Sequence, residues 1–474
     1  MLRSFIRTNA PRLGRFSSSE NHFDLVTIGG GSGGLFTALK AKSYGKRVCI
    51  IDKHKLGGRC VHAGCIPKKI IYHASMIKED MEHYGNDYGI YFKDTSIDWL
   101  KIKKLRDDHT HSMHLDYLKD CQKVGVEVVQ GVANFIGEHE LNVKLVGSND
   151  QFKVTADHII VATGSRPLMP KNIEGVENCL NTDSFFGLTT LPKSIFVIGG
   201  GYIGTEIACA LQAFGIKTSL CMVEENLVTP FDAEVTGYLK EYMMSVGIDI
   251  LPCSAVRKVV KREDSTFEVH CGQCTPRVAE GVLCAAGIKA NTDGIGLEDI
   301  GVKMRSNGAI VVDDYENSSI PGIYAIGDAT GKVILTPVAK TAGTRLATRL
   351  FGGDPNSKLD YSVIPSVAFT HPPMGKVGLT EAEAKAKYGE KNIKVYKSRF
   401  TQLFHEVTKH KQPTFVKMIC KLPEEKVIGI HAIGRGVDEM IQGYSVALTA
   451  GATKADYDAT LAIHPTTSEA FVSL

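Results

Sequence analysis

Short apolar runs that end in clusters of glycine set the pattern of the N-terminal part of the chain. Residues 23–28 (FDLVTI) form one such run, and it leads into GGGSGG at 29–34. A helical pattern follows from Leu35 to Tyr44, and a second apolar run extends from Arg47 to Asp52. This order predicts a strand, a helix and a second strand, with the glycines at the first turn.

These glycines have the spacing of a dinucleotide-binding turn. Gly29, Gly31 and Gly34 give G-x-G-x-x-G. In that pattern the first glycine makes a tight turn, the second admits a pyrophosphate, and the third lets helix and strand pack closely. Free N–H groups at the helix start then face the phosphates. Asp52 ends the second strand, where a carboxylate accepts hydrogen bonds from an adenosine ribose.

The same pattern occurs once more along the chain. Residues 194–198 (SIFVI) precede GGGYIG at 199–204, a helical stretch runs to about Phe214, and a strand pattern follows from Thr218 to Val223. The repeat predicts two nucleotide-binding domains. A flavin and a nicotinamide are the natural pair of ligands, because an electron relay needs both a hydride donor and a carrier.

Composition narrows the class of protein. The chain has 474 residues, 43% of them hydrophobic, which is enough for two to four domains. No run of about 18 apolar residues occurs, so the sequence predicts no membrane-spanning helix. The formal net charge of +3 is small, and four positive charges belong to arginines within residues 1–19. That charge argues against a nucleic-acid surface.

Residues 1–19 have the composition of a mitochondrial transit peptide. They contain four arginines, no acidic residue and three consecutive serines, together with apolar residues such as Leu2, Phe5 and Ile6. We therefore expect the protein in the mitochondrial matrix, with an additional cytosolic form. A basic tail without a targeting role would have a similar composition.

Two of the twelve cysteines have a spacing that suggests redox chemistry. Cys60 and Cys65 are separated by four residues in GGRCVHAGCIPKK (57–69). Two thiols so spaced on one helical turn can close a strained and therefore reducible disulfide. Cys271 and Cys274 form a C-x-x-C, but no second cysteine or histidine pair nearby completes a zinc site. We interpret that segment as a hairpin turn.

Together these motifs resemble the flavoprotein disulfide reductases, the class I pyridine nucleotide-disulfide oxidoreductases, and within them most closely glutathione reductase. The resemblance runs from about residue 22 to the end of the chain, in motif order. It rests on the Cys60/Cys65 motif and both glycine loops. Further matching motifs are ATG at 162–164, GD at 327–328, LTPVA at 335–339, GATKAD at 451–456 and HPTTSE at 464–469.

The resemblance implies an α/β fold with two Rossmann-like dinucleotide-binding domains, for FAD and for NAD(P), and a C-terminal α+β dimerisation domain. It also implies an obligate twofold homodimer. The expected boundaries are a transit peptide at 1–20, an FAD-binding domain at 21–165 and 290–360, an NAD(P)-binding domain at 166–289 and an interface domain at 361–474.

The resemblance further implies a path for electrons. NADH or NADPH would bind the second glycine loop and reduce FAD, after which the Cys60–Cys65 disulfide would open. Cys60 would attack the disulfide substrate, and Cys65, next to the flavin, would resolve the mixed disulfide. His464, oriented by Glu469 and contributed by the partner subunit, would protonate the leaving thiolate.

Other residues match the family's cofactor and substrate contacts. Lys68 and Glu206 match an ion pair beside the flavin ring, and we expect Glu206 on the first turn of the second nucleotide helix. Tyr117, and with it His109, matches aromatic positions of the disulfide pocket. The expected FAD contacts are Gly29, Gly31, Ser32, Gly33, Gly34, Asp52, Gly58, Thr163, Gly164, Asp328 and Thr336. The expected NAD(P) contacts are Gly199, Gly201, Tyr202, Ile203, Gly204, Glu206 and Glu224.

The chain departs from glutathione reductase where specificity is decided. Residues 218–232 contain no basic residue to hold a 2′-phosphate, and Glu224 stands there instead. This favours NADH over NADPH, or weak discrimination. Leu39 and Thr344 replace arginines that hold glutathione carboxylates in glutathione reductase. We therefore expect weaker binding of glutathione disulfide.

Alternative functions stay open at this point. Glutathione disulfide is the predicted substrate, and dihydrolipoyl dehydrogenase is the nearest rival activity, favoured by Glu224 and the leader. The PKK motif at 67–69, Tyr117 and the terminal motif favour glutathione reductase. The final FVSL lacks the extra cysteine pair that mercuric reductase or large thioredoxin reductase needs. A flavoprotein retained only for binding would lack one cysteine of the pair or the histidine base. This chain has Cys60, Cys65 and His464.

Overall fold

The computed structural model describes residues 21–474, so the predicted transit peptide at 1–20 lies outside the described residues. The described chain divides into two units. The first consists of residues 21–62, 109–166 and 289–359, and the second of residues 63–108, 167–288 and 360–474. The finer boundaries given above for the FAD, NAD(P) and interface domains stay predictions.

Strands and helices alternate along most of the described chain. The strands are β1 His22–Ile28, β2 Val48–Asp52, β3 Glu127–Gly137, β4 Glu140–Leu145, β5 Gln151–Val161, β6 Ser165–Pro167, β7 Leu180–Asn181, β8 Ser194–Ile198, β9 Lys217–Cys221, β10 Asp249–Leu251, β11 Val256–Lys261, β12 Phe267–Cys271, β13 Arg277–Ala279, β14 Gly281–Cys284, β15 Ile288–Ala290, β16 Ile323–Ala325, β17 Ser366–Ala368, β18 Met374–Gly378, β19 Ile393–Phe400, β20 Thr414–Lys421 and β21 Lys426–Ile433.

The α-helices are α1 Ser32–Ser43, α2 Gly58–His62, α3 Cys65–Glu79, α4 Trp99–Val124, α5 Thr182–Gly187, α6 Tyr202–Ala213, α7 Ala233–Ser245, α8 Thr336–Phe351, α9 Glu381–Tyr388, α10 Leu403–Glu406, α11 Val437–Thr449 and α12 Lys454–Asp458. A π-helical turn, Asp80–Gly85, continues α3, and 3₁₀ turns occupy Val176–Asn178, Gly327–Thr330, Glu390–Asn392 and Thr467–Phe471. No helix within residues 21–474 is long and apolar enough to cross a membrane.

The sheet of the first unit is built around β1. This strand pairs in parallel with β2 and β5, β2 pairs with β3, and β16 pairs with β5, while β4 joins β3 and β5 in antiparallel fashion. Leu25 and Val26 belong to two different apolar clusters, and both are fully buried. Because both faces of β1 are covered, the strand is an unbroken apolar run. Helices α1 and α8 pack together beside this sheet.

The second unit contains a parallel sheet in the order β10-β9-β8-β14-β7, with α6 after β8 and α7 after β9. A separate antiparallel sheet joins β11, β12 and β13, and the C-terminal sheet has the antiparallel order β17-β18-β21-β20-β19. The N–H of Cys274 donates to the carbonyl of Cys271 at 3.1 Å, between β12 and β13. The predicted hairpin turn at this C-x-x-C is confirmed.

The helix after the first glycine turn begins earlier than predicted. The sequence predicts a helix from Leu35 to Tyr44, whereas α1 begins at Ser32 and includes Gly33 and Gly34. Glycine has poor helix propensity, so the pattern places the start too late. The turn against β1 and β2 holds these glycines in the helix instead.

A buried ion cluster in the second unit joins α7, α9 and β20. Lys417 is 2% exposed, and its Nζ lies 2.8 Å from Asp232 and 2.6 Å from Glu381. Asp232 also caps α7 by accepting the N–H of Glu234 at 3.1 Å. Burial acts to raise the pKa of Asp232, but hydrogen bonds from Lys417 and from the N–H of Glu381 bring this pKa below its ordinary value. The cluster is therefore held in its charged form.

We expect Lys417→Met to lower the free energy of unfolding by about 3 kcal/mol or more, because it leaves a buried carboxylate without its counter-charge. Urea unfolding of the two proteins measures the difference. Lys104→Met is the matched control, since Lys104 pairs with Asp108 in an exposed (i, i+4) contact, and it should cost less than about 0.5 kcal/mol. Equal losses in the two variants would contradict the structural role of Lys417.

Candidate active site

The outer glycines of the two loops make the same close backbone contacts. A Cβ on Gly29 would lie 2.3 Å from the carbonyl oxygen of Ala162, and one on Gly34 would lie 1.9 Å from the carbonyl oxygen of Gly29. At Gly199 and Gly204 the corresponding distances to backbone oxygens are 2.4 Å and 1.9 Å. No larger residue fits these positions, as the sequence pattern predicts.

The middle glycines instead border open space. A Cβ on Gly201 would meet no atom within 4 Å, and one on Gly31 would meet only the Cα of Gly58, at 3.7 Å. Gly31 and Gly201 are also the N-caps of α1 and α6, and neither offers a side chain to the first helical N–H groups. A pyrophosphate fits at each helix start, with Ser32 following the first cap and Tyr202 the second.

Asp52 has a structural role that the sequence did not predict. Its Oδ2 accepts the N–H of Gly30 at 2.5 Å, and its Oδ1 accepts the N–H of His54 at 2.7 Å. The carboxylate thus holds the glycine loop against the end of β2. Each oxygen can still accept a second hydrogen bond, so Asp52 also fits the ribose contact that we expected.

Polar groups at the end of β5 fit a hydroxyl-bearing ligand such as FAD. Asp328, in the 3₁₀ turn Gly327–Thr330, accepts a hydrogen bond from the Ser165 hydroxyl at 2.6 Å. Burial raises the pKa of Asp328, although Ser165 and the charge of Arg59 oppose this effect. The hydroxyl of Thr163 is buried without a hydrogen-bond partner within residues 21–474. A bound hydroxyl or phosphate would supply that partner.

Sequence reasoning missed Ser165, although it follows the ATG motif directly. The expected FAD residue Thr336 is the first residue of α8, and Gly164 has a φ of +68° that glycine adopts without strain. All the expected FAD contacts belong to the first unit.

The two cysteines of the predicted redox pair lie on consecutive helices. Cys60 is in α2 and half-buried, whereas Cys65 is exposed and begins α3. The expectation that they share one helical turn is wrong, because Gly64 (φ −149°, ψ −116°) leaves the helical region and interrupts the chain of helical hydrogen bonds. Cys60 belongs to the first unit and Cys65 to the second.

Aromatic side chains stand near Cys60 in the first unit. Burial raises the pKa of the Tyr117 hydroxyl, and the charge of Cys60 adds to this effect. The Tyr117 ring meets Phe36 edge to face, with 6.3 Å between centroids. Lys340 Nζ lies 4.0 Å from the centre of the Phe36 ring. His109 is exposed, and the place of Tyr117 and His109 in a disulfide pocket stays a prediction.

Leu39 and Thr344 offer no positive charge, as the sequence indicated. Leu39 packs against the apolar cluster beneath α1, and the Thr344 hydroxyl donates to the carbonyl of Thr341 at 3.1 Å. Lys340 is a cation that sequence reasoning missed. Its signal was available, because it precedes Thr344 by one helical turn on α8.

In the second unit, Glu206 is the anchor of a buried ion pair. It is 3% exposed, lies 2.7 Å from Lys68 Nζ and accepts the N–H of Phe369 at 2.7 Å. The predicted pairing of Lys68 with Glu206 is confirmed. Its predicted place on the first helical turn is wrong, because α6 begins at Tyr202 and has no acidic residue in its first turn.

The end of β9 presents acidic residues, as predicted, but also a nearby lysine. Glu224 and Glu225 are exposed, and Lys240 Nζ donates to the carbonyl of Glu225 at 3.2 Å. Lys240 lies on α7, beyond the segment 218–232 that contains no basic residue. Tyr202 and Ile203 begin α6, and burial raises the pKa of Tyr202 to about 12.

His464 and Glu469 form the pair that we expected. The Nδ1 of His464 lies 2.9 Å from Glu469 Oε2, and the imidazole side chain is 79% exposed. Leu461 and Ile463 beside it are 91% and 70% exposed. The Glu469 carboxylate holds Nδ1 of the His464 ring, so Nε2 points away from the carboxylate.

Two models of known protein families match most of the chain. A model described as pyridine nucleotide-disulphide oxidoreductase matches residues 23–343. A second model, described as the dimerisation domain of the pyridine nucleotide-disulphide oxidoreductases, matches residues 364–474.

We expect Asp328→Ala to lose bound flavin, because it removes the half-buried carboxylate that Ser165 orients. The flavin absorbance per chain after gel filtration measures retention, and we expect a fall of about tenfold in affinity for FAD, the effect of losing one charge-assisted hydrogen bond. Asp314→Ala is the control, since Asp314 is exposed and pairs with Lys358. Full flavin retention by Asp328→Ala would exclude Asp328 from the FAD site.

Proposed function

The chain belongs to the pyridine nucleotide-disulphide oxidoreductase family, and we propose that it reduces glutathione disulfide with electrons from NADH or NADPH. The family binds FAD and a pyridine nucleotide, and the dimerisation domain suggests a homodimer. The observation that carries the proposal is the half-buried Cys60 beside Tyr117, with Cys65 five residues later, in a chain with two pyrophosphate-binding turns.

Bound FAD would supply two-electron transfer between nicotinamide and sulfur. Cys60 would attack one sulfur of the substrate as a thiolate, which breaks the substrate's S–S bond and releases one thiol. Cys65 would then attack the sulfur of Cys60, which releases the second thiol and restores the protein disulfide. The Lys68–Glu206 pair would place a fixed charge beside the flavin ring, with Glu206 held in place by the N–H of Phe369.

His464 would give a proton to the leaving thiolate. Glu469 binds Nδ1 and so selects the tautomer in which Nε2 exchanges the proton. We propose that this histidine acts in the partner's active site. The exposure of Leu461 and Ile463 supports this, because apolar residues beside a catalytic group favour burial against a second copy of the chain.

Lys340 supports an anionic disulfide as substrate. Its ammonium group lies over Phe36, whose ring touches Tyr117, so a positive charge stands near Cys60 although Leu39 and Thr344 are neutral. A lysine binds a carboxylate as a point charge rather than through two parallel hydrogen bonds. We therefore infer weaker binding of glutathione disulfide than an arginine pair would give. The N-terminal composition supports a mitochondrial location.

A second candidate is dihydrolipoyl dehydrogenase, which Leu39 favours because an apolar side chain suits a neutral, less polar disulfide.

The test of the proposal is steady-state oxidation of NADH and NADPH by the purified protein, with glutathione disulfide and lipoamide as parallel substrates. Faster turnover of glutathione disulfide supports the reductase, whereas turnover of lipoamide alone would replace it with the dehydrogenase.

We expect Lys340→Met to raise the KM for glutathione disulfide by about tenfold with little change in kcat, because one charge-assisted contact to a substrate carboxylate is lost. The KM for lipoamide, which is uncharged, should stay the same. Lys358→Met, a change of the same kind at a surface pair with Asp314, is the control. Equal effects on both substrates would argue against a carboxylate contact.

We expect Glu224→Ala to lower the ratio of kcat/KM for NADH to that for NADPH by about tenfold, since the carboxylate accepts from a ribose hydroxyl and repels a 2′-phosphate. Glu225→Ala is the neighbouring control. Lys240→Met should act on NADPH alone, because its charge attracts the phosphate. An unchanged ratio in Glu224→Ala would remove Glu224 from the nucleotide site.

We expect Cys60→Ser and His464→Gln each to lower turnover by at least about 10²-fold as homodimers. Mixing the two variants through subunit exchange should restore activity, because the heterodimer contains one site with an intact thiol and an intact imidazole. If the mixed dimers are as inactive as the parents, His464 serves the site of its own chain and the proposed exchange between subunits is wrong.

A further inference from the structure

A second pair of cysteines flanks a turn in the second unit. Cys271 ends β12, and the N–H of Cys274 donates to its carbonyl at 3.1 Å. Such a bond closes a β-turn, whose end Cα atoms lie within about 7 Å. A disulfide spans Cα atoms separated by about 4.4–6.8 Å. The turn therefore brings the two residues within the reach of a disulfide.

The two thiols differ in access to solvent. Cys274 is exposed, whereas Cys271 is 1% exposed and belongs to an apolar cluster that also contains Cys221. Cys221 Sγ donates to the carbonyl of Ser254 at 3.2 Å. Burial raises the pKa of the Cys271 thiol, and the charge of Cys274 adds to this effect.

A metal does not explain this arrangement. No group of three or more histidine, cysteine, aspartate or glutamate side chains is placed to hold a metal ion within residues 21–474. The pair instead has one accessible thiol to begin an exchange and one protected thiol to complete it.

We propose that Cys271 and Cys274 form a second thiol–disulfide centre, a modification site that low-molecular-weight disulfides oxidise. The Cys274 thiolate attacks one sulfur of the reagent disulfide, whose S–S bond breaks, and the released thiolate takes a proton. Cys271, after loss of its proton to solvent, attacks the Cys274 sulfur and releases the second reagent thiol. Two electrons pass from the protein sulfurs to the reagent, so the products are one protein disulfide and two thiols.

The centre is joined to the nucleotide-binding loop by a short path of backbone bonds. The N–H of Gly272, inside the turn, donates to the carbonyl of Ala255 at 3.0 Å, and the N–H of Cys253 donates to the carbonyl of Glu224 at 3.2 Å. Cys221, which belongs to the same apolar cluster as Cys271, is the last residue of β9. Oxidation of the turn therefore changes the support of the loop that carries Glu224, and we infer that it changes affinity for NADH.

The test uses the full chain, reduced with dithiothreitol, desalted and then incubated with glutathione disulfide. Remaining thiols are alkylated, and peptide mass spectrometry locates the products. We expect a linked Cys271–Cys274 peptide in the wild type and in Cys253→Ser, the matched control for an exposed thiol. Cys271→Ser should stop at a glutathione adduct on Cys274, and Cys274→Ser should form neither product.

A wild-type protein in which Cys274 stays free or keeps its glutathione adduct would overturn the proposal. The second readout is the dissociation constant of NADH, from fluorescence titration before and after oxidation. The shift in the wild type and in Cys253→Ser should exceed by threefold or more the shift in Cys274→Ser, in which glutathione disulfide oxidises the Cys60–Cys65 pair alone. Equal shifts in all three would refute the coupling to Glu224. Neither readout requires turnover, so failure here is distinct from failure of the proposed reductase activity.

Discussion

The backbone contact within each glycine turn is the constraint on which the rest of the site depends. At Gly34 and Gly204 the helix passes so close to the preceding turn that even a methyl group would lie 1.9 Å from a carbonyl oxygen. This contact directs the first N–H groups of α1 and α6 at open space rather than at protein atoms. An anionic ligand can accept hydrogen bonds from these free N–H groups. The same glycine turn, used twice, thereby provides two dinucleotide sites.

Charged side chains then stabilise the units around these turns. Asp52 holds the first loop through the N–H of Gly30, and Glu206 joins α6 to Lys68 on α3 and to the strand-end residue Phe369. Protein donors hold each carboxylate, so its position is fixed before any ligand binds. Such preorganised groups lower the cost of binding and of charge development in a redox reaction.

Much of this could be predicted from the sequence because it depends on short, local patterns. The two glycine loops, the strand bounds of β8 and the His464–Glu469 pair follow motifs of fixed spacing, whereas the Lys68–Glu206 pair, 138 residues apart, was expected only from the family resemblance. The interruption at Gly64, which places Cys60 and Cys65 on two helices, depends on a single backbone conformation that C-x₄-C does not encode. Ser165 directly follows the ATG motif and Lys340 precedes Thr344 by one helical turn, so both had a local signal, whereas only tertiary packing brings Lys240 to Glu225. The start of α1 was placed too late because its glycines contradict helix propensity.

The central claim is that electrons from a nicotinamide nucleotide reach the sulfurs of Cys60 and Cys65. The most direct measurement is anaerobic reduction of the oxidised, FAD-loaded protein with one equivalent of NADH per chain, followed by alkylation and peptide mass spectrometry. The account predicts that alkylation of both Cys60 and Cys65 appears only after NADH is added. If neither cysteine gains a label while the flavin is reduced, the electrons stop before these sulfurs and the account is wrong.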